Sequence, residues 1–183
     1  MPIADCVAHA IDPTLCEGPT PVLNPKAQPQ HATTKSHQTG DALLSGSGLR
    51  SQKAFTVRGR ALVTDVPITY LGYVNRDTGV IEEPGHPLDG VAIADTVLVY
   101  PKGSGSTVAP YVLMGLIYTD LGPKAVINRD ICPLTLPACS LLGVPYGHGF
   151  GDDPCMSINT GDTVEFRRTE HGVELEVLER VAS

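Results

Sequence analysis

The amino-acid sequence predicts a β/α domain with a mixed sheet, preceded by a proline-rich N-terminal extension. Three observations lead to this prediction. Short apolar runs bounded by Asp, Gly or Pro begin at residue 54 and indicate strands. Strand-like and helix-like runs alternate in the second half of the chain, which is typical of partly parallel pairing. Residues 1–50, by contrast, contain six prolines and no sustained period of 2 or 3.6 residues.

The N-terminal extension, residues 1–50, cannot build a core from its own residues. We expect it to be disordered or to lie in extended form against another surface such as a partner chain, because proline-rich segments lose little entropy when they dock. His9, His31 and His37 are interpreted as solvated polar residues rather than metal ligands. The folded domain is therefore expected to occupy residues 51–183.

The folded domain is predicted to begin with β structure. The three predicted strands are residues 54–63 (AFTVRGRALV), 66–74 (VPITYLGYV) and 91–100 (VAIADTVLVY). Residues 75–90 are dense in turn formers, so we expect an ordered loop or hairpin there. Tyr111, Met114 or Gly115, and Tyr118 share helical spacing, which predicts a helix that ends at Gly122-Pro123.

The C-terminal third is predicted to alternate before it ends in a hairpin. Residues 125–130 and 144–150 read as strands, and residues 134–143 read as a short helix despite Pro137. The runs TVEF and VELEVLE flank a predicted turn at His171-Gly172.

Charge and hydropathy exclude several classes of function. The 183 residues include 20 acidic and 13 basic ones, for a net charge of −7, and nucleic-acid binding needs a clustered positive field instead. The apolar runs fall short of the roughly 18 residues of a membrane span. The N-terminus lacks the basic-then-apolar layout of a signal peptide. We therefore expect a soluble, cytoplasmic protein without nucleic-acid or membrane partners.

The five cysteines show no CxxC spacing and are odd in number, so a disulfide framework is not expected. Cys132 and Cys139 are seven residues apart and would share one face of a helix. Metal ligation by this pair is one interpretation, and two ordinary buried thiols is the favoured one. We expect this chain to bind no metal or other cofactor.

The serine loop, residues 101–108 (PKGSGSTV), joins a predicted strand to a predicted helix. Two glycines and three hydroxyls in such a junction are compatible with a flexible turn, a phosphate-binding loop or a catalytic serine. The local pattern does not distinguish between these three interpretations. The P-loop pattern GxxxxGK[ST] is absent, which disfavours a nucleotide phosphate site. Ser106 or Thr107 could also be a simple helix N-cap.

Three segments follow one another in a distinctive order: RGRALVTDVPITYLGYVNRDTGVIEEPGHPLDG, VLVYPKGSGSTVAPYVL and LGPKAVINRD. Read together, over residues 54–150, they resemble the small subunit, or swivel domain, of the aconitase X family. The positions that carry this resemblance are Gly59, Ala61, Leu62, Val63, Thr69, Tyr70, Gly72, Asn75, Thr78, Gly79, Ile81, His86, Pro87, Leu88, Gly90, Pro101, Gly103, Gly105, Ser106, Thr107, Tyr111, Val112 and Leu113.

The resemblance implies a swivelling β/β/α domain with a mixed sheet or barrel-like β core. It also implies a hydro-lyase that is active only with a large subunit, whose iron–sulfur cluster assists departure of the substrate hydroxyl. The small subunit would supply a serine base, which is Ser106 here. Cis-3-hydroxy-L-proline is the expected substrate, and a phosphorylated mevalonate is the alternative.

Other residues of the resemblance are candidate substrate contacts: Gly105, Thr107, Lys102, Thr69, Gly72, Asn75 and His86. The chain departs from the family pattern at two places. Many members have Arg where this chain has Ser104, and Ser or another small residue where it has Ala109-Pro110. An arginine would bind a carboxylate bidentately, so Lys102 is the candidate replacement, as a point charge.

Serine is a weak base unless its oxyanion is stabilised. A glycine-rich turn at a helix N-terminus offers backbone N–H groups and the positive end of the helix dipole. Gly103 and Gly105 permit positive φ, and Pro110 suits the first helical turn.

Two functions of other classes are kept open. A phospho-carrier module would need His86 or His148 to be exposed, and a regulatory protein would bind no large subunit. Asp152 and Asp153 resemble a metal pair only superficially.

Overall fold

A computed structural model describes residues 42–181, which form a closed seven-stranded barrel with helices and loops packed against it. In chain order the elements are β1 Leu43–Gly48, β2 Thr56–Val63, β3 Ile68–Thr69, α1 Tyr70–Tyr73, β4 Val97–Tyr100, β5 Gly103–Ser104, α2 Ala109–Tyr118, β6 Ala125–Asn128, α3 Leu136–Leu142, β7 Tyr146–His148, α4 Pro154–Ser157, β8 Thr163–Arg168 and β9 Val173–Glu179.

The barrel has the strand order β1-β7-β6-β4-β2-β8-β9 and closes where β9 pairs with β1. The strands β2, β4, β6 and β7 are mutually parallel, and the remaining pairs are antiparallel. The predicted mixed sheet and the barrel-like β core are therefore confirmed. β3 and β5 stand apart from the barrel as a two-stranded parallel sheet.

Two apolar clusters lie on opposite faces of the parallel strands, because successive side chains of a strand alternate in direction. Val97 and Val99 of β4 belong to the cluster that also contains Phe166 and Leu175 of the C-terminal hairpin, so this cluster fills the barrel. The neighbouring side chains of β4 belong to a second cluster with α2 and α3. The helices thus cover the outside of the parallel strands.

The predicted C-terminal hairpin is confirmed. β8 pairs with β9 in antiparallel register, and the Thr169 amide donates to the Gly172 carbonyl in the turn. The loop at residues 75–90 is ordered, with the neighbouring bridges Val74 to Ile81 and Val80 to Ala92.

Two predicted strands are much shorter than expected. The run at 66–74 keeps only β3, because Leu71 (φ −77°, ψ 114°) and Gly72 (φ 97°, ψ −21°) turn the chain. These are the angles of a type II β-turn, which needs glycine at its third position. The run at 91–100 keeps only β4, because Asp95 has a positive φ of 63°.

β1 lies within the predicted N-terminal extension. After Leu43 and Leu44 its residues are only Ser and Gly, and it pairs with β9 through four residue pairs and with β7 through two. The sequence LLSGSG has little apolar content, and the strand is placed by its backbone hydrogen bonds and by buried Leu44. Residues 1–41, including Cys6, Cys16 and the three N-terminal histidines, lie outside the described residues.

Helix α2 is shorter than predicted and ends at Tyr118. Asp120 adopts the left-handed region with φ 60°, the Leu121 amide donates to the Leu116 carbonyl, and the Asp120 amide donates to the Ile117 carbonyl. This pair of bonds is a Schellman motif, in which an aspartate takes the place usually held by glycine.

Helix α3 begins after Cys132, so the expected placement of Cys132 and Cys139 on one helix face is wrong. Pro137 is accommodated in the first turn, and Gly143 ends the helix in the left-handed region. Within residues 42–181, no helix has both the length and the apolar character needed to span a membrane.

Candidate functional site

The serine loop is held between β3 and α2. Its first half contains β5, in which Gly103 and Ser104 pair with Ile68 and Thr69 of β3. The Ile68 amide donates to the Lys102 carbonyl at 3.2 Å. Two segments separated by more than 30 residues in the sequence are thus joined, and the predicted site residues Thr69 and Gly105 become neighbours.

Gly105 is required by the geometry of this loop. Its φ is +89°, and a Cβ built at this position would lie 3.1 Å from the Thr69 Cγ2 atom. The expectation that Gly105 adopts a positive φ is confirmed. Gly103 has no positive φ, and its lack of a side chain matters for another reason: a Cβ there would lie 3.2 Å from the Leu134 Cβ.

Ser106 is exposed, as are Lys102, Gly105 and Thr107. The Ser106 Oγ accepts a long hydrogen bond of 3.4 Å from the Val108 amide, and the Ser106 carbonyl accepts from the Ala109 amide at 2.9 Å. The hydroxyl is therefore accessible and only weakly engaged.

Neither Ser106 nor Thr107 is the N-cap of α2. The N-cap is Val108, which provides no side-chain hydrogen bond, and the helix begins at Ala109 with Pro110 in its first turn. The simple capping interpretation of the hydroxyls is therefore wrong. The accommodation of Pro110 in the first turn is confirmed, and it fits the absence of an N–H group in proline.

Three consecutive backbone amides at Ser106 are without partners in the described part of the chain. Within residues 42–181, the amides of Gly105, Ser106 and Thr107 have no hydrogen-bond partner. They lie immediately before the N-terminus of a ten-residue helix, whose dipole adds positive potential. The loop can therefore present an exposed hydroxyl together with donors for negatively charged oxygen atoms.

Gly72 and Asn75 lie on the turn and loop that follow β3. Gly72 is exposed, and apart from its chain neighbours no atom of the described residues lies within 4 Å of the position its Cβ would occupy. The Asn75 Oδ1 accepts from the amides of Asp77 and Thr78, and its Nδ2 donates to the Glu82 Oε1 at 3.0 Å. The Asn75 side chain is thus engaged in stabilising its own loop.

His86 is buried, with 7 % of its surface exposed. Its Nδ1 accepts from the Leu88 amide at 3.0 Å, which places the proton of the neutral ring on Nε2. The Nε2 atom is buried and has no partner among the described residues. A buried imidazole does not suit phosphate transfer from a soluble donor. His148 is half-buried, and burial lowers its pKa.

A buried polar chain lies beneath the serine loop, and sequence reasoning missed it. We call it the hydroxyl chain, and its side chains are Tyr70, Tyr100, Thr135 and Cys132. The Tyr70 hydroxyl contacts the Tyr100 hydroxyl at 2.8 Å, and the Tyr100 hydroxyl contacts the Thr135 Oγ1 at 2.9 Å. Thr135 donates to the Cys132 Sγ at 3.3 Å, and the Gly103 amide donates to the same sulfur at 3.1 Å.

Burial determines the protonation of the hydroxyl chain. Desolvation, followed by the neighbouring Tyr100, raises the pKa of Tyr70 well above its ordinary value, and desolvation also raises that of Tyr100. Burial raises the pKa of nearby Cys139 to about 12. Tyr70, Tyr100 and Cys139 are therefore neutral near pH 7. The sequence signal for the chain was a tyrosine beside each of two short apolar strands, β3 and β4.

The described cysteines do not form a site for an iron–sulfur cluster. Cys132 and Cys139 lie in or beside the cluster under the helices, whereas Cys155 lies in the barrel interior. The Cys132 sulfur is already engaged with Thr135 and Gly103. Among residues 42–181 no group of three or more Cys, His, Asp or Glu side chains is arranged to hold a metal ion.

Comparison with known proteins identifies the family. The sequence model of the aconitase X swivel-domain family matches residues 49–175 of this chain. The chain belongs to the aconitase X swivel-domain family. The resemblance noted from the sequence is therefore confirmed, and so is the swivel fold.

Relatives within the family extend this assignment. The phosphomevalonate dehydratase small subunit of Methanococcoides burtonii is 35 % identical over 117 residues, which cover 64 % of this chain and 85 % of the relative. That of Pyrococcus horikoshii is 35 % identical over 132 residues, covering 72 % of this chain and 94 % of the relative. The expected assignment to dehydratase small subunits of the aconitase X type is confirmed at this level.

A solved structure agrees with the fold. The crystal structure of Thermococcus kodakaraensis aconitase X in its holo-form matches with a TM-score of 0.67 and 27 % identity. The match covers 75 % of this chain and 99 % of that chain.

Proposed function

We propose that this chain supplies the base, Ser106, to a dehydratase whose active site it shares with a large subunit. The observation that carries the proposal is the serine loop itself. It presents an accessible hydroxyl beside three backbone amides that have no partner within residues 42–181, just before the start of α2. The names of the relatives support the reaction class, because they are dehydratase small subunits.

The proposed reaction removes water from adjacent carbon atoms. The deprotonated Ser106 Oγ takes a proton from the carbon next to the substrate carboxylate, and the resulting electron pair forms the double bond as the neighbouring hydroxyl leaves. The amides of Gly105 and Thr107 donate hydrogen bonds that stabilise the negative charge on the substrate carboxylate or on the serine oxygen. Lys102, exposed on the same loop, adds a positive charge. It takes the place of the arginine that many family members have at the position of Ser104.

The leaving hydroxyl needs an acid or a metal ion. Lys102 is assigned to the substrate carboxylate in this proposal, and within residues 42–181 no group of three or more Cys, His, Asp or Glu side chains is arranged to hold a metal ion. We propose that the large subunit carries this group as an iron–sulfur cluster. The remaining predicted contacts divide by position. Thr69 adjoins the loop directly, whereas Gly72, Asn75 and His86 lie on the neighbouring turn and loop.

The names of the relatives favour a phosphorylated mevalonate as the substrate. The charge of the serine loop favours the second candidate, cis-3-hydroxy-L-proline. Lys102 is the basic residue within residues 101–108, and a substrate with both a phosphate and a carboxylate would require further cations from the large subunit. Hydroxyproline carries one carboxylate and its own ammonium group, so it requires fewer.

Co-expression with the large subunit from the same organism tests the proposal. The purified complex is given each substrate separately, and loss of one water is followed by mass spectrometry. Turnover of phosphomevalonate alone would support the first candidate, and turnover of hydroxyproline alone would support the second. A stable complex that dehydrates neither compound would contradict the proposed function, as would a chain that binds no large subunit.

A further inference from the structure

We propose that the hydroxyl chain is a positioning device for the serine loop. It joins the two strands that carry the site, β3 and β5, to the segment between β6 and α3. Tyr70 directly follows β3, and the Gly103 amide belongs to β5. Tyr70 reaches Thr135 through the Tyr100 hydroxyl, and the Gly103 amide donates directly to the Cys132 sulfur. The distances in this series of hydrogen bonds are 2.8–3.3 Å. This inference rests on the proposed role of Ser106.

Donors and acceptors in the hydroxyl chain can be assigned in one consistent order. The Thr135 hydroxyl has a single proton, which it donates to the Cys132 sulfur. It must then accept from Tyr100, and Tyr100 must accept from Tyr70. The Cys132 sulfur is the common acceptor, because the Gly103 amide donates to it from the opposite direction. With Thr135 donating to Cys132, the three hydroxyl protons of Tyr70, Tyr100 and Thr135 share one consistent arrangement.

The hydroxyl chain is also hydrogen-bonded to the barrel. The Cys132 amide donates to the Tyr146 hydroxyl at 3.0 Å, and Tyr146 is a fully buried residue of β7. Tyr100 lies at the end of β4, one residue before the serine loop begins. The loop is thereby connected to two parallel strands of the barrel through side-chain atoms as well as through its backbone.

Stability alone does not account for these polar groups. Tyr70, Tyr100 and Thr135 are fully buried, and Cys132 has 2 % of its surface exposed. Phenylalanine and valine would fill the same space without the cost of removing hydroxyls from water, and buried hydrogen bonds add little net stability. A directional hydrogen-bond network favours one defined arrangement of the segments that it joins. Such an arrangement matters for catalysis because small displacements of a reacting group reduce rates strongly.

Cys132→Ala tests the proposal, since it leaves the Gly103 amide and the Thr135 hydroxyl without their acceptor. Cys139→Ala is the matched control. It removes a sulfur atom from another buried cysteine, and Cys139 has no hydrogen bond to the serine loop among the described residues. Cys132→Ser returns an acceptor and should restore part of what Cys132→Ala loses.

The first measurement needs no activity. Hydrogen exchange in the full chain is followed for the peptide that covers residues 101–108. We expect faster exchange in Cys132→Ala than in Cys139→Ala, with Cys132→Ser between Cys132→Ala and the wild type. Equal exchange in the two alanine variants would overturn the proposal. If Cys132→Ala does not fold, Thr135→Val and Thr135→Ser replace it, because valine keeps the shape of threonine and serine keeps its hydroxyl.

The second measurement uses the complex with the large subunit. We expect kcat to fall by about tenfold or more in Cys132→Ala, with KM nearly unchanged, and to recover partly in Cys132→Ser. Cys139→Ala should retain kcat. A loss of kcat that is equal in both alanine variants would reduce the hydroxyl chain to a structural role. An inactive wild-type complex would contradict the proposed function, and the exchange measurement would still decide on positioning.

Discussion

The antiparallel half of the barrel and the layer around Ser106 are built in different ways. In β8 and β9 apolar side chains point into the barrel, and charged side chains form ion pairs outside, as in the contacts of Arg167 with Glu165, Glu174 and Glu176. Around Ser106, short strands and a positive-φ glycine are supported by buried hydroxyl and thiol groups. The first region depends on burial of apolar surface, whereas the second depends on placement of particular atoms.

The largest effect on stability is expected in the barrel. Leu175 is fully buried on β9, so Leu175→Ala should lower the free energy of unfolding by about 2–5 kcal/mol. Leu178→Ala on the same strand is the control, because its side chain is 42 % exposed, and it should change that free energy by about 0.5 kcal/mol or less. Urea denaturation of the full chain measures both. Equal losses would show that the barrel interior is not the main core.

A smaller effect is expected at the serine loop. Gly105→Ala places a side chain at φ +89° and close to Thr69, which should lower the free energy of unfolding by about 1–2 kcal/mol. Gly115→Ala is a control with the opposite expected sign, because Gly115 lies in α2 and, outside the helix's own backbone, no atom of residues 42–181 is within 4 Å of its Cβ position. It should stabilise the chain by about 0.5–1 kcal/mol. The same sign for both variants would contradict the account of this loop.

The smallest effect concerns the charged face of the barrel. Hydrogen bonds from Arg58 and then from Arg167 hold the pKa of Glu165 below its ordinary value of 4.5. A carboxyl whose pKa is lowered by folding adds stability above its unfolded pKa, and this contribution is lost as the pH falls through the folded value. Wild type should therefore exceed Glu165→Gln in stability at pH 7, and the two should converge in acid. A difference that persists unchanged at low pH would contradict the role of the ion pairs.

The regular parts of the fold could be predicted from the sequence. The hairpin of β8 and β9 follows from alternating apolar residues around His171-Gly172, and the parallel pairing follows from alternating strands and helices. The positive φ of Gly105 followed from the composition of the loop. These features depend on local pattern, which the sequence carries directly.

The remaining features depend on contacts between distant segments. β1 has the composition of a loop, and its pairing with β9 joins residues that are about 130 positions apart. The hydroxyl chain unites Tyr70 with Thr135, and a tyrosine beside a short apolar strand does not indicate which distant hydroxyl it contacts. The shortening of the predicted strand at 66–74 follows from a single glycine turn, at Gly72, within an apolar run. No local period could reveal these relations.

Ser106 is proposed as the base of a shared active site, and paired serine variants in the complex with the large subunit test this role. Ser106→Ala should lower kcat by about 10²–10⁴-fold, the usual contribution of a general base, and should leave the thermal unfolding midpoint unchanged because the side chain is exposed. Ser104→Ala, two residues earlier on β5, should remain close to wild type. Undiminished turnover in Ser106→Ala would contradict the account.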